Sequence, residues 1–439
     1  MKTSTSTNRI DETLLRAASL AGAVALGAGT ASAQTLIDDA GTSRDGNVGA
    51  YSSLVAAGNE LAVAYSCIED FSPPTTYDLR FAWRTGESWQ WTTVDNGPAT
   101  SGALARASDG VYHVIYHNQG LSWAYGSASA WTLVPERIDP TTTGGEISMA
   151  LDSADRPHVT FLEPATANQW YIRYTRWTGT EWQRMPGNLL ASQLNGSSSH
   201  YLGLDSLDRP HVVYAMTTGG VRHALFRNNG WYVDSIGGSA LATVPALAID
   251  SGDGLHVAWC TQAGLMYAHK AAGGGWILQT VLAGDPYVAS SIAITVDSQH
   301  RPAISFVTKA ASDICLAVRP GDKWTTARLD GDGLPGGDLE LGRSGTSIAF
   351  DADGYAHVTY QAVTTYDDGT RRRADLRIAS IQPYCRGDFN GDLLTDFFDY
   401  LDFVAAFDAE DPVADFNHDG TVDFFDYLDF VVAFDAGCE

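Results

Sequence analysis

Basic residues are scarce in this chain: 27 Lys and Arg stand against 52 Asp and Glu, a formal net charge of −25 at pH 7. Nucleic acid is therefore disfavoured as a partner, because a polyanion is held by clustered cations. Long apolar runs are missing too. Ala17 to Gly29 is too short and too rich in Ala and Gly for a membrane span, and no later run reaches the ~20 apolar residues that one needs. Cysteine is sparse and odd in number, five in 439 residues, so at least one stays unpaired. No neighbouring His pattern supports a catalytic thiol. What is present, 44% hydrophobic residues, 11% aromatics and 44 Gly, suits one large all-β domain with a small second one.

A repeated unit dominates the chain. Leu202 to Ile236 reads as a strand, the turn Asp205 to Asp208, a strand from His211 to Tyr214, a third run from Val221 to Phe226, and a fourth opened by Trp231. Its second-strand core, Val212 to Tyr214, aligns with Val63 to Tyr65, Val114 to Tyr116, Val159 to Phe161, Val257 to Trp259, Ile304 to Phe306 and Val358 to Tyr360, which makes seven copies. The period fits a four-stranded propeller blade. Such a unit cannot bury both faces alone but can when packed radially, and a ring leaves only short, protected edges. The reading is an all-β, seven-bladed β-propeller over residues 34–380. Trp89, Trp131, Trp182, Trp231, Trp276 and Trp324 mark the fourth strand in six units, and the seventh lacks one. Gln34 to Gly41 resembles Gln279 to Gly284 and is expected to supply it, closing the ring.

Met1 to Ala33 has the look of a secretory signal, with Lys2, Arg9 and Arg16, a weakly apolar stretch and Ala31-Ser32-Ala33 before the expected cleavage point. The expectation is a product that is secreted or held at the cell surface.

The C-terminal stretch, residues 385–439, carries the clearest chemistry. Asp388, Asn390, Asp392, Asp396 and Asp399 occupy positions 1, 3, 5, 9 and 12 of one loop, and Asp415, Asn417, Asp419, Asp423 and Asp426 repeat them in a second. With the position-7 carbonyls of Leu394 and Thr421, these oxygens wrap a hard cation of calcium size, so two calcium ions are expected. Position 6 needs a positive φ; it is Gly420 in one loop and Leu393 in the other. Each loop runs into FFDYLDFV, where Phe398, Leu401 and Ala405 recur at helical spacing and would pack two short helices together. Cys385 and Cys438 bracket the module, and a bond between them would stabilise a domain too small to rely on its own core. The duplicated loop-plus-helix pattern, with Cys385 and terminal Gly437-Cys438, resembles the GC-type dockerin domain over about the last 55 residues. That resemblance implies calcium-dependent folding and an anchoring or protein-sorting partner at the surface, often for polysaccharide-processing proteins. Loop positions 10 and 11 hold Phe397, Phe398, Phe424 and Phe425, where cohesin-binding dockerins usually carry small polar recognition residues.

On the propeller, a His opens the second strand in five units, at His113, His158, His211, His256 and His357. Copies of one position sit on a ring too far apart to converge, so each is expected to bond within its own turn. The aromatic that ends every second strand reads as inter-blade core, with sugar stacking as the alternative. The periodic Arg80, Arg173, Arg222 and Arg377 read as partners of blade carboxylates, with a bound uronate or sulfate as the alternative. Residues that break the symmetry are better candidates for function. The loops after second and fourth strands share one face, which would collect His117, Glu163, His200, Tyr201, Tyr287, Glu340 and Arg343. A His and Tyr pair could abstract a proton as in polysaccharide lyases, or Glu163 and Glu340 could serve as acid and base. The sialidase motif SxDxGxxW does not occur between third and fourth strands. The function read from the sequence is a calcium-binding, dockerin-anchored binding or scaffold module, with carbohydrate as the expected ligand. The rival is an enzyme of polysaccharide breakdown, either lyase or O-glycosyl hydrolase.

Overall fold

Short runs of β-branched and aromatic residues punctuated by Asp, Asn and Gly turns dictate antiparallel strands, and the computed structural model has 29 of them among its described residues. Those residues are 34–39, 47–68, 77–128, 130–142, 146–166, 169–187, 189–191, 200–216, 220–237, 245–261, 263–284, 292–308, 313–321, 323–331, 345–365, 372–393, 395–417 and 420–437. Within each unit the strands form a meander. In the unit of Leu202, His200–Leu204 pairs with Pro210–Ala215, that with Val221–Arg227, and that with Gly230–Gly237.

The first strands of the units are Asn47–Ala57, Thr100–Arg106, Ile147–Leu151, His200–Leu204, Ala246–Ile249, Ile292–Val296 and Ser347–Phe350. Each lies against the next, and the last lies against Asn47–Ala57, so they surround an axis. The molecule is an all-β propeller followed by two helices. The expectation of seven blades is corrected. Five blades stand as separate sheets, four of them four-stranded and one five-stranded through Leu189–Ala191, while the remaining strands form one eight-stranded sheet. The cause is a parallel pairing of Asn47 with Ala374, which joins the long strand Arg372–Ile381 to the inner strand Asn47–Ala57.

Thr35–Asp38 pairs antiparallel with Arg372–Ile381, matching Thr35 with Ile378 and Asp38 with Leu376. Asp38 is 5% exposed and accepts from Tyr65 Oη at 2.7 Å and from Arg80 Nη1 at 2.8 Å. The arrangement recurs at other junctions, where Tyr116 Oη donates to Asp95 (2.7 Å) and Tyr360 Oη to Asp330 (2.6 Å), with Arg377 at 3.7 Å from the latter. Asp38 thus holds the place that Asp95 and Asp330 hold at the ends of other outer strands. Gln34 Nε2 adds a bond to the Leu329 carbonyl at 2.9 Å.

The core lies between sheets rather than within one. Ile115 and Trp123 of one unit pack with Val159 and Phe161 of the next, and Leu162 and Ile172 with Val212 and Tyr214. The second-strand aromatics Tyr65, Tyr116, Phe161, Tyr214, Trp259, Phe306 and Tyr360 are all at most 4% exposed. Serines latch successive turns: Ser153 N and Oγ donate to Asp208, and Ser206 N and Oγ to Asp253.

Beyond the propeller, helix α1 spans Phe397–Asp408 and α2 spans Phe424–Ala436. Asp396 and Asp423 cap them, each in a capping box with Asp399 or Asp426. The helices meet through Phe403 and Phe430, stacked 4.0 Å apart at 8°. This corrects the expected face, since Phe398, Leu401 and Ala405 are exposed. Tyr400, Phe403, Val404 and Phe407 form the more apolar stripe at the same spacing and win the interior. Leu393 and Tyr384 pack against a core cluster of the propeller, and Tyr384 Oη donates to the Pro302 carbonyl at 2.7 Å.

Candidate functional site

Among the expected propeller residues, Tyr287, Glu340 and Arg343 lie outside the described residues. His117 ends the strand Tyr112–His117 and is 4% exposed. Glu163 is bound by the guanidinium groups of both Arg173 and Arg184, so its carboxylate is already neutralised. That leaves His200 and Tyr201, which open an inner strand and share an axial cavity of about 230 Å³ with Tyr51, Glu146 and Thr346. Burial drives the His200 pKa down to about 4, and burial together with the Glu146 charge pushes Tyr201 up. Burial thus keeps the imidazole neutral and the phenol protonated, away from the range suited to acid-base work near neutral pH, and no third expected residue lines this cavity among the described residues.

A larger cavity was missed by sequence reasoning. It is a groove of about 990 Å³ on the opposite face, where the turns between first and second and between third and fourth strands converge. Glu60, Trp83, Arg84, Trp89, Arg106 and Tyr112 line it. The hairpin that pairs Trp83 with Gln90 and Arg84 with Trp89 places the two half-exposed indoles there. Arg106 Nη2 meets Glu60 Oε2 at 2.9 Å and lies over the Tyr112 ring, and Asn59 Nδ2 donates to Asp353 Oδ2 at 2.7 Å. The available signal was Trp83, an extra indole six residues before the periodic Trp89.

Four of the five recurrent histidines are tied to their own turns; the fifth, His113, follows a turn that opens on Ala107 rather than Asp, and its Nδ1 is buried with no hydrogen-bond partner among the described residues. His158, His211, His256 and His357 reach Asp152, Asp205, Asp250 and Asp351 at 3.5, 3.2, 3.1 and 2.9 Å. Burial lowers the pKa of all four histidines. Of the periodic arginines, Arg80, Arg173 and Arg377 face carboxylates. Cys67, Cys260 and Cys315 are buried thiols, and burial pushes the Cys260 and Cys315 groups up.

In the first C-terminal loop, carboxylate oxygens of Asp388, Asp392 and Asp399 lie within 4.8 Å of one another. Burial and the charges of Asp399 and Asp392 push Asp388 up to about 6, as crowded carboxylates do. Backbone amides wrap them: Leu393 N donates to Asp388 Oδ2 at 2.8 Å, and Asn390 N to Asp399 Oδ1 at 3.0 Å. The second loop repeats this, with Gly420 N on Asp415 and Asn417 N on Asp426. Both position-6 residues take a positive φ, 73° at Leu393 and 91° at Gly420. Leu394 and Asp419 lie outside the described residues. These all-oxygen donors fit calcium in kind.

No protein-family profile matches the sequence, and no curated protein matches it. Solved structures similar in shape include a fucose-specific lectin from Aleuria aurantia, 16% identical, covering 65% of this chain and 95% of its own at a TM-score of 0.44. An α-L-arabinofuranosidase from Fusarium graminearum is 11% identical over 64% of this chain and 92% of its own, at a TM-score of 0.43. The NanB sialidase of Streptococcus pneumoniae is 12% identical over 79% and 70%, at a TM-score of 0.43. These values are too low to carry the ligand of any of these proteins to this chain.

Proposed function

We propose that this chain is a secreted binding protein whose propeller holds carbohydrate and whose C-terminal module anchors it at the cell surface. The observation that carries the reading is the groove of Trp83, Trp89 and Tyr112 beside Glu60, Arg84 and Arg106. Sugars offer an apolar C–H face to indole rings and hydroxyls to planar charged groups, and this groove has both within a volume that suits a few sugar rings. The Glu163 pairing with two arginines supports binding over acid-base catalysis. In this reading the eight-stranded sheet counts as two blades, restoring seven around the axis.

The C-terminal module is proposed to bind two calcium ions, to be closed by a Cys385–Cys438 disulfide, and to dock a surface partner. The Cys385 sulfur lies 3.4 Å from the carbonyl of Gly437, the residue that precedes Cys438 in the sequence. Phe397, Phe398, Phe424 and Phe425 are each at least 63% exposed, a doubled aromatic surface that suits an apolar partner rather than water.

A glycan array probed with the full chain, followed by calorimetry on the hits, tests the ligand. Trp83→Ala and Trp89→Ala should each weaken binding by about 10-fold or more, as loss of an aromatic anchor does. Binding that ignores both substitutions, or no binding at all, defeats the reading. A parallel assay for unsaturated or hydrolysed sugar products addresses the enzyme alternative. Turnover abolished by His200→Gln would move the function to the axial cavity.

A further inference from the structure

One turn departs from the others in a way that concerns cations. Three turns pair their first Asp with an Arg four residues on: Arg156 to Asp152 at 2.7 Å, Arg209 to Asp205 at 2.5 Å, and Arg301 to Asp297 at 2.6 Å. In the turn of Asp250 that position is Gly254, so the guanidinium is gone. Two histidines outside the periodic set take its place. His269 sits directly across from the periodic His256 on the neighbouring strand, their rings 4.6 Å apart. His300 comes from the turn of the next unit, where Asp155, Asp208 and Asp253 stand at the equivalent points, all four with positive φ.

Two of these histidines, His256 and His300, converge on one oxygen. Asp250 Oδ1 is held by the amides of Gly252 and Gly254 at 2.8 and 2.7 Å, which leaves Oδ2 to face His256 Nε2 at 3.1 Å and His300 Nδ1 at 2.9 Å. Ligand atoms of Asp250, His256 and His269 all lie within 4.8 Å of one another. Around a tetrahedral zinc with bonds of ~2.0–2.1 Å, ligand atoms stand ~3.3 Å apart, so two of these separations are near the required edge already. His269 is half-buried and can swing inward. The cluster opens on a cavity of about 340 Å³, also lined by Arg319, which gives an ion a way in. Behind His256, Nδ1 meets Tyr267 Oη at 2.7 Å; metal binding would move the ring proton from the Asp250-facing Nε2 to Nδ1, whose N–H Tyr267 can accept, and so free the Nε2 lone pair.

We propose that Asp250, His256, His269 and His300 form a binding site for a zinc-class transition metal. Three ligands come from one sheet and the fourth from the turn of the next, so the ion acts as a clamp across the junction. A closed shell of four protein ligands makes the role structural rather than hydrolytic.

The test uses the full chain, stripped of transition metals with a chelator and then saturated with calcium so that the acidic loops are occupied. Zinc titration should show one tight equivalent, and cobalt should give the intense visible absorption of a tetrahedral site. His300→Asp restores the residue of the other junctions, and His269→Gln removes a ligand; each should weaken zinc by about 10-fold or more, as should Tyr267→Phe behind His256. The metal-free melting temperature of His300→Asp should match wild type, which separates lost ligation from misfolding. Zinc uptake unchanged when His269→Gln and His300→Asp are combined, an octahedral cobalt spectrum, or binding of inorganic phosphate without zinc would each overturn the proposal.

Discussion

Replacing Asp38 by Ala probes the seam of the ring. The substitution takes the Asp38 carboxylate away from Arg80, 3% exposed, and removes the acceptor of a fully buried Tyr65 hydroxyl. Breaking a buried ion pair from one side costs about 3–5 kcal/mol, because the remaining charge stays desolvated. Burial raises the Asp38 pKa despite the adjacent cation, which shows how much desolvation this pair carries. An unfolding entropy of about 2 cal/mol/K per residue gives roughly 0.7 kcal/mol/K for a propeller of roughly 350 residues, so the melting temperature should fall by about 4–7 °C. Thermal unfolding of the full chain, followed by far-UV circular dichroism, reads this directly. Leu36→Ala is the control: it lies two residues away in the same strand but is 49% exposed, and should shift the midpoint by less than about 1 °C. Replacing both partners, Asp38→Ala with Arg80→Met, should recover much of the loss, because no charge is then stranded. A shift for Asp38→Ala no larger than that of Leu36→Ala would refute the claim that this residue secures the seam.

Two further predictions concern other strained or buried groups. Leu393 holds a φ of 73° while packing on the propeller, so Leu393→Ala should lose the packing and keep the strain, whereas Leu393→Gly loses the packing and sheds a strain of about 1–2 kcal/mol. Calorimetry should therefore find the first loop tighter for calcium in the Gly variant than in the Ala variant, by up to ~30-fold; equal affinities would remove position 6 from the account. His200 stays neutral in the folded protein down to a pKa of about 4, whereas an unfolded His takes its proton near ~6.5, so stability is full above that pH and declines as pH falls toward 4. Urea unfolding at pH 7.5 and 5 should show a loss about 2 kcal/mol smaller in His200→Gln than in wild type, and an equal loss in both would show that His200 does not carry it.

Periodicity made the propeller legible. Val-Tyr cores marked second strands that are now fully buried, and the kinship of Gln34 to Gly41 with other outer strands pointed to the strand that pairs with Arg372–Ile381. The eight-stranded sheet was not legible, because a single Asn47 to Ala374 pairing leaves no mark in composition. The candidate site was read less well for a physical reason. Glu163 stood out as unrepeated, yet the sequence does not show that Arg184 folds back on it from a following strand. The periodic His256 fell correctly into its turn, but His269 and His300 reach it from another strand and another unit, a proximity that only the folded ring creates. The groove escaped notice because its walls are turns, each unremarkable alone.

The seam carries one more consequence. Gln34 bonds Leu329 across 295 positions, and Thr35 meets Ile378 farther still. A chain growing from its N-terminus therefore carries Thr35–Asp38 unmatched through nearly all of its synthesis, and the ring cannot form until the final strand exists. A product cut short before Arg372 strands Arg80 and Tyr65 beside an outer strand that has no sheet to join. The residues that hold the ring together thus also act as a length check, distinguishing a finished propeller from a shortened one before any ligand is met.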